Sequence, residues 1–145
     1  MAVKPIPEGY HTVTPYLTVD NASKLLDFIK AAFDGKELFR HAGPDGSVAH
    51  AEVKIGDSIV MVGQARDQWK GKTTLLYLYV PDVDATFKRA LAAGATSVQE
   101  PVDQFYGDRN GGVQDPTGNQ WWISTHKEDV SPEEMARRMK AQTKA

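Results

Sequence analysis

A chain of 145 residues, 41% hydrophobic and 25% charged, is long enough for one domain, or for two small halves sharing a core. A formal net charge of -2, with no Lys and Arg cluster ahead of the C-terminal tail, predicts no electrostatic grip on nucleic acid, and zero cysteines exclude disulfides, thiolate metal sites and cysteine nucleophiles. The opening MAVKPIPEGY lacks the apolar core of a signal peptide and no stretch approaches the ~20 apolar residues of a membrane span, so a cytoplasmic protein without membrane contact is expected.

Pro5, Pro7 and Gly9 make the first ten residues an irregular lead-in. Residues 12–19 are rich in β-branched and aromatic side chains and read as a strand, with Pro15 placing it at a sheet edge or beside a bulge because proline donates no ladder hydrogen bond. Ala22, Leu25, Leu26, Ile29, Ala32 and Phe33 then recur at three- and four-residue intervals, which predicts an amphipathic helix capped by Asp20 or Asn21 and stopped by a left-handed Gly35. Segments 37–42 and 47–55 flank Pro44-Asp45-Gly46 and form a hairpin, whose second arm alternates Ala49, Ala51, Val53 and Ile55 against Val48, His50, Glu52 and Lys54. Gly56-Asp57 turns the chain into a further strand over 58–63.

Polar residues 64–72 read as a linker, after which the plan returns at an offset of about 60 residues: strand 73–80, a helix 82–93 capped by Asp82 and stopped by Gly94, and short strands at 97–100, 112–115 and 121–126. The stretch Phe105-Tyr106-Gly107-Asp108-Arg109-Asn110-Gly111-Gly112 reads as a glycine-rich loop. Ser131-Pro132-Glu133-Glu134 is a capping box opening a last helix to about residue 141, with Met135 and Met139 as its one apolar pair. The expected architecture is α+β: two βαβββ modules, about 11–63 and 73–126, folded as a pseudo-dimer within a single domain spanning 1–145.

The opening TPYLTVDNASKLLDFIKAAF, the middle GPDGSVAHAEVKIGDSIVMV and the closing FYGDRNGGVQDPTGNQWW, followed by THKEDVSPEEMARRM, together resemble the vicinal oxygen chelate superfamily of glyoxalases, bleomycin-resistance proteins and extradiol dioxygenases, and most of all its PhnB-like branch. The resemblance implies curved sheets that form a cavity. In metal-dependent members it also implies a divalent ion on four strands, and those four positions fall here on Thr14, Met61, Leu75 and Trp122. None is His, Asp or Glu, so glyoxalase-like metal chemistry is not expected, and no cofactor is assigned.

Tyr16, Tyr77, Tyr79 and Trp122 share strand parity with those positions, so the face that would hold a metal becomes aromatic, suited to a flat organic guest; the alternative is that the rings plug the cavity as core. His50 and Glu52, two apart on one strand, are the remaining candidate ligand pair, with His11 or His126 needed to complete it, or they are a polar pair on a half-exposed face. Arg109 either clamps an anionic ligand or pairs with Asp108 or another carboxylate. Tyr16, His50, Glu52, Met61, Tyr77, Tyr79, Phe105, Arg109 and Trp122 are thus the candidate ligand-binding residues. The favoured function is metal-independent binding of a small organic molecule by a homodimer, with sequestration as one form of it. A metal-dependent lyase, isomerase or dioxygenase is the alternative, and a structural or interaction role the third.

Overall fold

A computed structural model describes residues 3–143. In chain order the elements are β1 (Tyr16–Val19), α1 (Ala22–Phe33), β2 (Lys36–Ala42), β3 (Val48–Ile55), β4 (Ser58–Gln64), β5 (Leu75–Tyr79), α2 (Val83–Ala92), β6 (Thr96–Asp103), β7 (Asp108–Gln114), β8 (Gln120–His126) and α3 (Pro132–Thr143). The first sheet runs β1-β4-β3-β2 and the second β5-β8-β7-β6. In each, the opening strand is parallel to the last and every other pair is antiparallel. The two βαβββ modules read from the repeat are therefore both present in this α+β chain.

The helices hold the modules together. α1 buries Leu25, Leu26, Phe28, Ile29 and Ala32 against the first sheet, α2 buries Val83, Phe87 and Ala90 against the second, and α1 packs on α2. Phe33 meets Trp121 of the other module at a ring distance of 4.9 Å, and Arg89 Nη2 donates to the Ala31 carbonyl at 3.3 Å. Side chains from both modules thus form one continuous core, built on the helix-facing side of each sheet. Among the described residues no helix packs on the opposite sheet faces.

Several boundaries differ from the sequence reading for local reasons. β1 starts only after Pro15, whose carbonyl accepts from the Met61 N–H at 2.9 Å, and it is an edge strand. α1 is capped by Asn21, one of the two expected caps, whose Oδ1 accepts from the Lys24 N–H at 3.1 Å, but it ends on Asp34 in the left-handed region at φ 54°, not on Gly35. A bulge opposite His41 and Ala42 breaks the alternation in β3, so Val48 enters the core in place of Ala49. Most importantly, 108–114 is a strand, so the supposed glycine loop shrinks to 104–107.

α3 is capped by Ser131 Oγ, which accepts from the Glu134 N–H at 3.2 Å. Arg138 anchors it to the β6–β7 turn, donating to the Phe105 carbonyl at 3.0 Å and pairing with Glu128 at 2.6 Å. Among the described residues no helix is long and apolar enough to cross a membrane.

Candidate functional site: two open sheet faces

Strand register decides which side chains share the faces left open by the helices. On the first sheet Tyr16, Met61, Glu52 and Phe39 form one row across β1, β4, β3 and β2, and Thr18, Gly63, His50 and His41 form the next. On the second sheet the corresponding rows are Tyr77, Trp122, Gly112 and Gln99, then Tyr79, Ser124, Asn110 and Val102. The repeat therefore superposes Tyr77 on Tyr16, Trp122 on Met61, Gly112 on Glu52, Asn110 on His50 and Ser124 on Gly63.

In both modules the tyrosine phenol crosses the middle strand to reach the strand beyond it, and a small residue allows the crossing. A Cβ on Gly63 would lie 2.6 Å from Tyr16 Oη; with hydrogen alone there, the phenol reaches His50 Nδ1 at 3.1 Å. His50 Nε2 in turn lies 2.9 Å from Glu52 Oε2. An ionised carboxylate only accepts, so in the neutral imidazole Nε2 carries the proton and Nδ1 accepts from Tyr16.

The second module places a larger polar network at the same height. The Tyr77 phenol donates to Asp108 Oδ2 at 2.9 Å, Tyr79 donates to the same oxygen at 3.1 Å, and His126 Nδ1 lies 2.8 Å from Asp108 Oδ1. Asn110 Nδ2 donates to Tyr77 Oη at 3.0 Å and to Tyr106 Oη at 2.8 Å, while its Oδ1 accepts from Gln104 Nε2 at 3.0 Å. Ser124 Oγ, 3.0 Å from Tyr77 Oη, completes the set. Asp108, Asn110 and Ser124 are buried, and among the described residues every buried side-chain polar atom has a partner.

The electrostatics follow from that geometry. Burial, outweighing the donors around it, pushes the Tyr77 phenol up to about 12, so it remains a proton donor at neutral pH. The hydrogen bond to Asp108 raises Tyr79. Desolvation works against the Asp108 carboxylate, but donation from His126, Tyr77 and Tyr79 wins and holds it below the usual range. His126, bridging Asp108 and Asp129, is raised, with Asp108 the larger cause.

Trp121 and Trp122 divide by strand parity. Trp121 is fully buried and donates from Nε1 to Asp115 Oδ2 at 2.7 Å, whereas Trp122 is half-buried on the open face. Its ring lies flat on Gly112, where a Cβ would come within 2.7 Å of it. Tyr16, Tyr77 and Tyr79 are 52%, 41% and 65% exposed, so these rings line a surface instead of filling a core. Beside Tyr16 a cavity of about 540 Å³ opens between Thr18, Gly63, Gln64 and Trp69.

Two of the residues singled out in the sequence lie elsewhere. Arg109 is on the opposite face of β7 from Asp108 and Asn110; it grips Asp84 in the first turn of α2 through Nε at 2.9 Å and Nη2 at 3.0 Å, with Asp103 at 3.3 Å. It fastens helix to sheet, and its partner is Asp84, not Asp108. Phe105 sits in the β6–β7 turn, edge-on to Tyr106 and under α3. His11 lines a hollow of about 400 Å³ with Thr14, Glu52 and Met61, and His126 belongs to the other module.

A divalent centre does not fit the four positions that the family resemblance implies for its ligands. Leu75 and Trp122 offer no donor, Met61 offers only a soft thioether, and the Thr14 hydroxyl donates to the His11 carbonyl at 3.3 Å. Among the described residues no three His, Asp or Glu side chains converge as a cation site.

Two four-stranded sheets of repeated topology, packed through their helices into one core, define a class of protein that comparison with known sequences identifies. Residues 10–123 match the family model of the Glyoxalase/Bleomycin resistance protein/Dioxygenase superfamily, and the chain belongs to it. Uncharacterized proteins of Mycobacterium bovis and Mycobacterium tuberculosis are each 38% identical to it, over 90% of this chain and 93% or 83% of theirs. Among solved structures, TioX from Micromonospora sp. ML1 is 27% identical with a TM-score of 0.70, covering 80% of this chain and 98% of that one. A PhnB protein from Bacillus cereus shares the fold at 17% identity and a TM-score of 0.65, with 79% and 99% covered.

Proposed function

We propose that this protein binds a small, flat organic molecule on its open sheet faces without the help of a metal ion, sequestration being one use of such binding. The observation that carries this reading is the aromatic open face of the second sheet: Trp122, at one of the four positions that the family resemblance implies for metal ligands, is half-buried beside the exposed Tyr77 and Tyr79. Pockets for organic guests are mostly apolar with a few convergent polar groups, which matches aromatic rows backed by the Tyr16–His50–Glu52 and Tyr77–Asp108–Asn110 sets.

8-Anilinonaphthalene-1-sulfonate is a suitable first probe, being flat and fluorescent when shielded from water. Saturable binding is expected, unchanged by EDTA and weakened by about 1 to 3 kcal/mol in Trp122→Ala, the range for losing one aromatic stacking partner. Non-saturable binding, or identical affinity in Trp122→Ala and Tyr16→Ala, would count against the reading. Stoichiometric metal in protein purified without chelator would favour a metal-dependent lyase, isomerase or dioxygenase.

The open faces also support a homodimer. β1 and β5 are edge strands, and Leu38, Phe39, Val98 and Val102 add exposed apolar surface on β2 and β6. A second copy laying one module's face over the other's would cover these rings and enclose the guest. Sedimentation at micromolar concentration should therefore give a dimer; a monomer throughout would leave each face a one-sided site. Met139, 52% exposed on α3, is a further candidate contact.

A further inference from the structure

The repeat puts a tyrosine at the same place in both modules, but the two phenols differ in what is left for a guest. Tyr77 Oη is saturated: it donates to Asp108 and is met by Asn110 and Ser124. Tyr16 Oη has one hydrogen-bond partner among the described residues, His50 Nδ1, and no donor reaches its lone pairs. Its phenol is half-exposed and borders the cavity of about 540 Å³ shared with Thr18, Gly63, Gln64 and Trp69. Behind it, His50 is tied to Glu52, and the side chains of those two are 26% and 16% exposed. The chain of atoms runs from an accessible phenol, through an imidazole with its acceptor nitrogen turned toward that phenol, to a carboxylate that fixes the tautomer.

Resting on the reading of this face as a binding site, we propose that Tyr16, His50 and Glu52 form a metal-free proton relay, with Tyr16 the catalytic acid–base toward a flat organic guest bearing an acidic C–H or O–H, such as an enolisable carbonyl compound. In the forward step the guest's proton passes to Tyr16 Oη while the phenol's own proton passes to His50 Nδ1. The electron pair stays on the guest as an enolate or alkoxide, and the Glu52 carboxylate balances the imidazolium. The reverse transfer returns a proton to the guest, at the same atom or at its conjugate position, so the net chemistry is proton exchange or isomerisation with no redox change. His50 and Glu52 act through Tyr16 and are positioning residues. The second module, with the same backbone and a saturated phenol, carries no such relay.

The probe is 5-nitrobenzisoxazole, a flat aromatic carbon acid. Removal of its C3–H proton by Tyr16 turns the C–H pair into the third C–N bond, breaks the N–O bond, and releases a coloured 2-cyano-4-nitrophenolate. Wild-type protein should open the ring faster than buffer alone, with EDTA making no difference. The rate should fall at least tenfold in Tyr16→Phe and in His50→Gln. Glu52→Gln should lower kcat more than it raises KM, and should move the His50 ring ¹⁵N signals away from the pure Nε2–H tautomer, a change that a merely structural role would not produce. Saturable quenching of tryptophan fluorescence by the probe, with ring opening at the buffer rate or equal in wild type and Tyr16→Phe, would overturn the relay and leave the binding site standing. Absence of any saturable quenching would overturn both.

Discussion

Trp121→Ala should cost about 3 to 5 kcal/mol of stability in urea unfolding, through lost transfer energy and the void left in a core that cannot fully collapse. Trp121 is fully buried, packs on Phe33 of the other module, and is the donor that satisfies Asp115 Oδ2. Orphaning that buried carboxylate oxygen adds to the loss, because Asp115 Oδ1 is already committed to Thr117 and Asn119. The neighbouring Trp122→Ala should cost less by about 2 kcal/mol or more, since water can enter where the ring lay on Gly112 and no sealed cavity forms. Equal losses would mean that Trp122 acts as core, and the open-face reading of module two would fail.

That contrast was partly legible in the sequence. Strand parity alone separates Trp121 from Trp122, and the three- and four-residue spacing of Leu25, Leu26, Ile29 and Ala32 defines the α1 face that the structure buries. The β7 segment was not legible, because Asp108-Arg109-Asn110-Gly111-Gly112 has the composition of a loop. Its glycines answer to packing: a Cβ on Gly111 would come within 3.0 Å of the Gln99 carbonyl, and one on Gly112 would strike the Trp122 ring. Read as a loop, the segment hid the alternation that sends Asp108 and Asn110 to one face and Arg109 to the other. Likewise, no periodicity brings Tyr16 to His50. Their contact needs the parallel β1–β4 register, the antiparallel β3–β4 register and a side chain missing at Gly63.

The two modules also show how one backbone plan carries two chemistries. Where the first has His50, Glu52 and Gly63, the second has Asn110, Gly112 and Ser124, and the exchange converts a half-buried titratable set into a buried, satisfied one. A fully satisfied polar network rigidifies its sheet, while a partly open one is available to a guest. On the proposed reading of the open faces, a guest would stack on Trp122 and Tyr79 in module two and meet the titratable His50 and Glu52 in module one.

Asp108→Ala tests the buried network, and about 2 to 4 kcal/mol should be lost near pH 6, since hydrogen bonds to a charged acceptor contribute about 1.5 to 3 kcal/mol each and the freed donors recover part of this from water. Tyr77, Tyr79 and His126 all lose the carboxylate on which they converge. The loss should depend on pH in a specified direction. Asp108 lies below its ordinary range when folded, so its contribution is present above about pH 4 and disappears as pH falls through the lowered value. His126 is raised when folded, so its contribution is complete below about pH 6.5 and disappears as pH rises through the raised value. The gap between wild type and Asp108→Ala should thus be widest in the window between those two ranges. It should close on the acid side, but on the alkaline side it should fall only to a plateau, because Tyr77, pushed up to about 12, still donates to the carboxylate. His126→Gln should remove the alkaline decline and leave the acid one. A gap that is flat from pH 4 to 9 would show that Asp108 is not the hub of this network.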